Sequence, residues 1–152
     1  MVIIIQPLYL PLYDNISFSY TEATRRLLMN PLASITIKGE PLTYRAKGQG
    51  QIRSELKSEA RRQFNAEKFK GPICMDIIFY ISPPKHLYHD VKMGKVIHPV
   101  QIVGQVDSMT HLVCKYLRNV AFSDPAQIVD LRTRKIYDLN PRTDIAIFKT
   151  VM

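Results

Sequence analysis

The sequence predicts an α+β domain, a mixed β-sheet of about four to five strands with two main helices on one face. Three observations predict it. Segments that alternate apolar and polar residues, or are rich in β-branched and aromatic ones, read as strands at 34–38, 73–81, 126–137 and 144–151. Two runs carry apolar residues at helical spacing, one from Gln51 and one from Asp107. The resulting order of strand, helix, strand, strand, helix, strand, strand argues for a mixed sheet with both helices on one side.

Residues 1–31 read as an extension of the domain that spans 32–152. An apolar strand-like arm, Val2 to Leu10, is followed by a Pro-broken turn and a short helical run, Thr21 to Met29, that stops at Asn30-Pro31. The apolar opening has no basic n-region and meets Gln6 and Pro7 early, so it reads as a strand or docking arm rather than a signal peptide. From Ala33, Ser34-Ile35-Thr36-Ile37-Lys38 alternates as a half-buried strand that Gly39-Glu40-Pro41 stops, and Leu42 to Lys47 continues it. Gly48-Gln49-Gly50 reads as a flexible break.

Ile52, Leu56, Ala60 and Phe64 recur every four residues, which predicts a helix from Gln51 to about Phe69, closed by Gly71-Pro72. Ile73 to Ile81 is the most strand-like segment of the chain. Ser82 to Pro99 is a Pro-bounded excursion, and Val100 to Val106 is a strand feeding the next helix. In that helix Met109, Leu112, Val113, Tyr116 and Leu117 form one apolar stripe. Asp107, His111 and Lys115, four apart, rise one above the other on a different side. Ala126 to Tyr137 and Asp144 to Val151 are the last strands, separated by the turn Asp138-Leu139-Asn140-Pro141.

With 152 residues, 46% apolar and 22% charged, the chain is one ordinary globular domain. No apolar run approaches the ~20 residues that span a bilayer, which points away from a membrane partner. Cys74 and Cys114 lack motif spacing and read as packed thiols of an intracellular, reducing compartment, cytoplasm or nucleoid. Lys and Arg number 21 against 13 Asp and Glu, a formal net charge of +8. Such a field attracts phosphate polymers, so nucleic acid is the favoured partner. The candidate contacts are Lys85, Lys92, Lys95 and His98 of the Pro-bounded excursion, Lys115 and Arg118 near the end of the second helix, and the stripe Arg53, Lys57 and Arg61 on the first.

Asp107, before an amphipathic run, suits two compatible roles, an N-cap accepting a backbone N–H from Met109 or Thr110 and a ligand for a divalent cation. Asp124-Pro125 reads first as a turn starter. All four histidines, His86, His89, His98 and His111, fall in one stretch. His86-x-x-His89 has no partner pair at zinc-ligand spacing and reads as part of a solvated loop.

Five separated segments resemble the RusA family of Holliday junction resolvases over Ala33 to Val151. They are S-I-T-I-K-G-E-P, G-P-I-C-M-D-I-I-F-Y, V-D-S with L-V-C-K-Y-L, S-D-P-A-Q-I-V-D and K-I-Y-D-L-N-P-R-T-D-I-A-I-F. The resemblance implies a small homodimeric, magnesium- or manganese-dependent endonuclease that cuts four-way DNA junctions. It also implies a site: an acid-x-acid-Asn pair opening the central helix, a Lys four residues on, and a later Asp-Asp pair. In this chain the first acid is Gln105, the second Asp107, the Asn is Ser108, the Lys is His111, and the Asp-Asp is Asp124 and Pro125.

Carried over residue by residue, Asp107, His111 and Asp124 are the catalytic candidates, and Asp107, Asp124 and Gln105 the candidate metal ligands. Gln105 offers an amide oxygen without charge and Pro125 offers no donor, while Asp130 or Asp90 are the carboxylates available to substitute. These replacements favour a branched-DNA binder that keeps the fold with weakened or lost cleavage. The retained Asp107 and Asp124 are what an active magnesium-dependent resolvase needs. A third reading is a structural subunit of a larger assembly, with the arm Val2 to Leu10 docking on another subunit.

Overall fold

The alternating segment after Pro31 forms strand β1 (Ala33–Lys38), with Ile35 and Ile37 buried and Ser34, Thr36 and Lys38 exposed. In this computed structural model the described residues are 31–41, 49–99 and 105–150, with the backbone alone for 49–53. The expected arm Val2 to Leu10, the helix Thr21 to Met29, the continuation Leu42 to Lys47 and most of the strand from Val100 lie outside them.

The other strands are β2 (Ile73–Ile81), β3 (Ile128–Tyr137) and β4 (Arg142–Lys149), and the sheet order is β1-β4-β2-β3. β4 runs antiparallel to β1, from Ala33↔Ile147 to Lys38↔Arg142, and antiparallel to β2 on its other side. β2 and β3 are parallel, so the chain between them crosses over, as a parallel pair requires. β3 and β4 follow one another across the Asp138–Pro141 turn yet do not pair, because β2 lies between them. The chain is held over the end of β2 by the Asp138 N–H, which donates to the Ile81 carbonyl at 2.9 Å.

One face of this sheet carries Ile35, Ile37, Met75, Ile77, Phe79, Ile145 and Ile147, all buried. Two helices cover it, α1 (Gln49–Gln63) through Leu56 and Ala60, and α3 (Val106–Leu117) through Met109, Val113, Tyr116 and Leu117. All five residues of the apolar stripe expected in α3 are buried. Between β2 and α3 lies a third helix, α2 (Lys85–Lys92), which has no buried residue.

Several expected boundaries move, each for a local reason. α1 takes in Gln49 and Gly50, expected as a break, and ends at Gln63 rather than Phe69. Past Gln63 the Phe69 N–H leaves the helical pattern and donates to the Ala121 carbonyl at 2.8 Å, while the Phe64 and Phe69 rings meet at 5.3 Å. The Ser82 to Pro99 excursion contains α2, closed by Gly94 at φ 92° with Gly94 N–H to Val91 and Lys95 N–H to Asp90, a Schellman ending. Val106 belongs to α3 rather than to a strand. Ala126 lies in a 3₁₀ turn, Pro125–Gln127, so β3 starts at Ile128, and β4 starts at Arg142 rather than Asp144.

Candidate nucleic-acid interface

α3 opens from Gln105, which is extended and exposed and whose carbonyl accepts the Met109 N–H at 3.0 Å. Gln105 is therefore the N-cap, and its side chain makes no capping bond. Asp107 is inside the first turn, not at the cap, and its Oδ1 accepts the neighbouring Ser108 N–H at 2.9 Å. The expected bonds from Met109 or Thr110 are replaced because Val106 is already helical. A carboxylate in the first turn is still favoured by the helix dipole. Asp107, His111 and Lys115 form the expected row along α3, all three exposed, and Arg118 is exposed just past the helix end.

Asp124 starts a turn, as its sequence context suggests. Its Oδ1 accepts the Ala126 N–H at 2.9 Å, and Gln127 Oε1 reaches back to the N–H groups of Asp124 at 3.1 Å and Ser123 at 2.9 Å. This is a capping box on a 3₁₀ turn. Gln127 Nε2 also donates to the carbonyls of Phe69 at 2.9 Å and Gly71 at 3.0 Å. Sequence reasoning missed Gln127, although Asp124-Pro125-Ala126-Gln127 carries the cap signature of an Asp followed three residues later by Gln.

The structure thus brings Gln105, Asp107, His111 and Lys115 together on one helix. It sets Asp124 in a separate turn, with a carboxylate oxygen engaged by the backbone. Among the described residues no group of three or more His, Cys, Asp or Glu side chains is placed to hold a metal ion. Magnesium needs near-octahedral oxygen coordination. Here Gln105 is neutral, Pro125 is the first residue of a turn with no side-chain donor, and Asp124 is partly committed. The described donors do not complete the metal site that the resemblance implies.

The basic candidates fall on three elements. Lys85 and Lys92 sit at the two ends of α2, with exposed His86 and His89 between them, and Lys95 is exposed just beyond. His98 Nδ1 donates to the Lys135 carbonyl at 2.9 Å, which ties this segment to the edge of β3 beside the Tyr137 N–H to Ile97 bond. On α1, Arg61 is exposed, Lys57 is half-buried, and the Arg53 side chain lies outside the described residues. Cys74 is buried on β2 and Cys114 half-buried on α3, neither of them in a disulfide, and burial pushes the Cys114 thiol up. Among the described residues no helix is long and apolar enough to cross a membrane.

No curated protein matches the chain. The family model described as endodeoxyribonuclease RusA matches residues 30–148, which takes in β1 to β4 but for the last residue of β4, α1 to α3, the Asp107 row and the Asp124 turn. With that match over most of its length, the chain belongs to the RusA endodeoxyribonuclease family.

Proposed function

We propose that this chain binds branched DNA of the Holliday-junction type and that its metal-dependent cleavage is weakened or lost. The observation that carries the reading is the donor set: of the family's acidic positions, Asp107 alone is a carboxylate exposed on α3, with Gln105, Pro125 and the capping Asp124 at the others. One or two carboxylates anchor magnesium only when substrate phosphate and water complete the shell, and a lone one leaves metal-assisted cleavage with little basis. The binding half of the activity needs cations and shape. The exposed Lys115 and Arg118, the α2 lysines and the net charge of +8 supply the cations.

A homodimer suits the reading, because two copies related by a two-fold axis present matched surfaces to a junction. Packed cysteines outside any disulfide, Cys74 and Cys114, suit a reducing intracellular compartment. Docking on another subunit by the arm Val2 to Leu10, within residues 1–31, belongs instead to the third reading, a structural subunit of a larger assembly. Deleting that segment is expected to leave a soluble dimer that still binds DNA; loss of the dimer would make the arm part of it. One observation favours a second reading, an active resolvase: Asp107 stands exposed one helical turn from His111 and two from Lys115.

The deciding experiment incubates the protein with a labelled four-way junction in magnesium, in manganese and in chelator, beside Asp107→Asn. Salt-sensitive binding without nicking in any metal is the expected result. Metal-dependent symmetric nicking that disappears in Asp107→Asn would replace this reading with the active one. An affinity indifferent to salt would remove DNA from consideration, since each neutralised phosphate contributes about −0.9 to the log–log slope.

A further inference from the structure

We infer that the cleft between the end of α1 and the 119–123 turn is a phosphate-binding subsite that grips the backbone of a DNA strand on the side of the molecule leading to Asp124. The inference rests on the DNA-binding reading above and assigns to it residues outside the α2 and α3 cations. The cleft has a volume of about 490 Å³, and Arg61, Lys68, Lys70, Asn119 and Ser123 line it. That volume lies within the range of small-ligand sites, ~300–1,000 Å³, roomy enough for a nucleotide unit.

The charge in the cleft is not cancelled from within. Three cations face one acid, Glu67. Among the described residues Arg62 pairs with Glu59, and Arg61, Lys68 and Lys70 are in no such ion pair. Arg62 is thus neutralised locally while its neighbour Arg61 turns its charge to the cleft. Asn119 and Ser123 add neutral polar groups, the mixture that positions a sugar–phosphate backbone without reading its sequence.

The backbone that carries these groups is fixed at several points. Phe69 bridges to Phe122 and packs its ring on Phe64, so Lys68 and Lys70, on either side of it in an extended segment, point the opposite way and are exposed. Gln127 clamps the Phe69 and Gly71 carbonyls. Asn119 sits in the left-handed region at φ 66°, its N–H held by the Phe122 carbonyl at 2.7 Å. A site on so constrained a frame loses little freedom when it binds. Its wall ends at Ser123, one residue before Asp124.

The test compares the full chain with Lys68→Gln/Lys70→Gln and with a charge-matched control, Lys38→Gln/Lys149→Gln. Affinity for a labelled four-way junction is measured across a series of salt concentrations. All four lysines are exposed, so both doubles are expected to keep the wild-type melting curve. The cleft double should lower the magnitude of the log–log salt slope by about 2, two phosphates at ~0.9 each, with little change in the control. An unchanged slope in the cleft double, or an equal fall in the control, would overturn the inference while leaving DNA binding intact. A salt-indifferent wild type would sink the DNA reading itself. Binding of a polyglutamate peptide that the cleft double loses, with junction binding unchanged, would reassign the cleft to an acidic protein partner.

Discussion

Single side chains set the geometry on both sides of the candidate interface. Gln127 uses its full capacity of two accepted and two donated bonds, to Ser123, Asp124, Phe69 and Gly71. Gln127→Ala is expected to cost about 1–3 kcal/mol, because it strips partners from several backbone groups at once. Gln127→Glu should cost at least as much despite its equal size, since a carboxylate cannot donate to the two carbonyls; urea unfolding of both variants checks this. Glu59 gives a pH-dependent case. The bond from Arg62, helped by one from Gln63, holds its carboxyl below its ordinary 4.5, at about 2. A depressed folded-state value means the stabilisation is present above the unfolded value and is lost as pH falls through about 2. The difference in urea midpoint between wild type and Glu59→Gln should therefore be full above pH ~5 and close as pH falls toward 2. Gln63, bonded to Glu59, also joins its amide to both the N–H and the carbonyl of Thr36, closing part of the free edge of β1.

At the scale of elements, α3 contributes to the core and α2 does not. α3 buries Met109, Leu112, Val113, Tyr116 and Leu117 and exposes Asp107, His111 and Lys115. α2 buries nothing and presents Lys85 and Lys92, with Lys95 following. The triple variant Lys85→Gln/Lys92→Gln/Lys95→Gln is expected to keep its unfolding free energy within ~0.5 kcal/mol. Its junction affinity should lose up to about 3 units of salt slope, three phosphates at ~0.9 each. Unchanged binding would remove α2 from the interface. The same contrast explains what was legible in the sequence. The α3 stripe announced itself because burial writes a 3.6-residue period into the chain. α2 was missed because an exposed helix writes none, although Met93-Gly94-Lys95 carried its stop signal. The apolar spacing extends α1 too far because Phe64 is buried and Phe69 packs against the core, and the sequence does not show that the backbone unwinds between them to pair with Ala121. At the site, the Asp107 row followed from spacing alone. The cap at Gln105 and the Gln127 clamp depend on where the first helical residue falls and on partners 56 and 58 residues away.

The topology of the whole molecule makes its last strand the one on which the rest depends. β4 lies between β1 and β2, and among the described residues β1 has no other strand partner. The strand-and-turn pattern showed that β3 and β4 exist and that four residues join them, but a short turn ordinarily implies a hairpin. The actual arrangement needs β2 between them, held by long-range contacts such as Asp138 to Ile81. β4 also brings Arg142 to its bonds with Asp138 and Asp144 and over the Tyr80 ring at 3.8 Å. Burial acts to lower the Arg142 value, but its carboxylate partners outweigh that and hold it above the ordinary one. A chain ending at Asn140 should therefore not form a weakened version of this fold. It would leave β1 without a ladder, expose the inner edge of β2 and remove Ile145 and Ile147 from the core. The expected result is loss of a cooperative urea transition and of near-ultraviolet circular dichroism, with dye binding to exposed apolar surface. A two-state transition in that truncated chain would mean that β1 finds β2 directly. In that case the order β1-β4-β2-β3 would not be what holds α1 and α3, and the cleft and the Asp107 row they carry, in place.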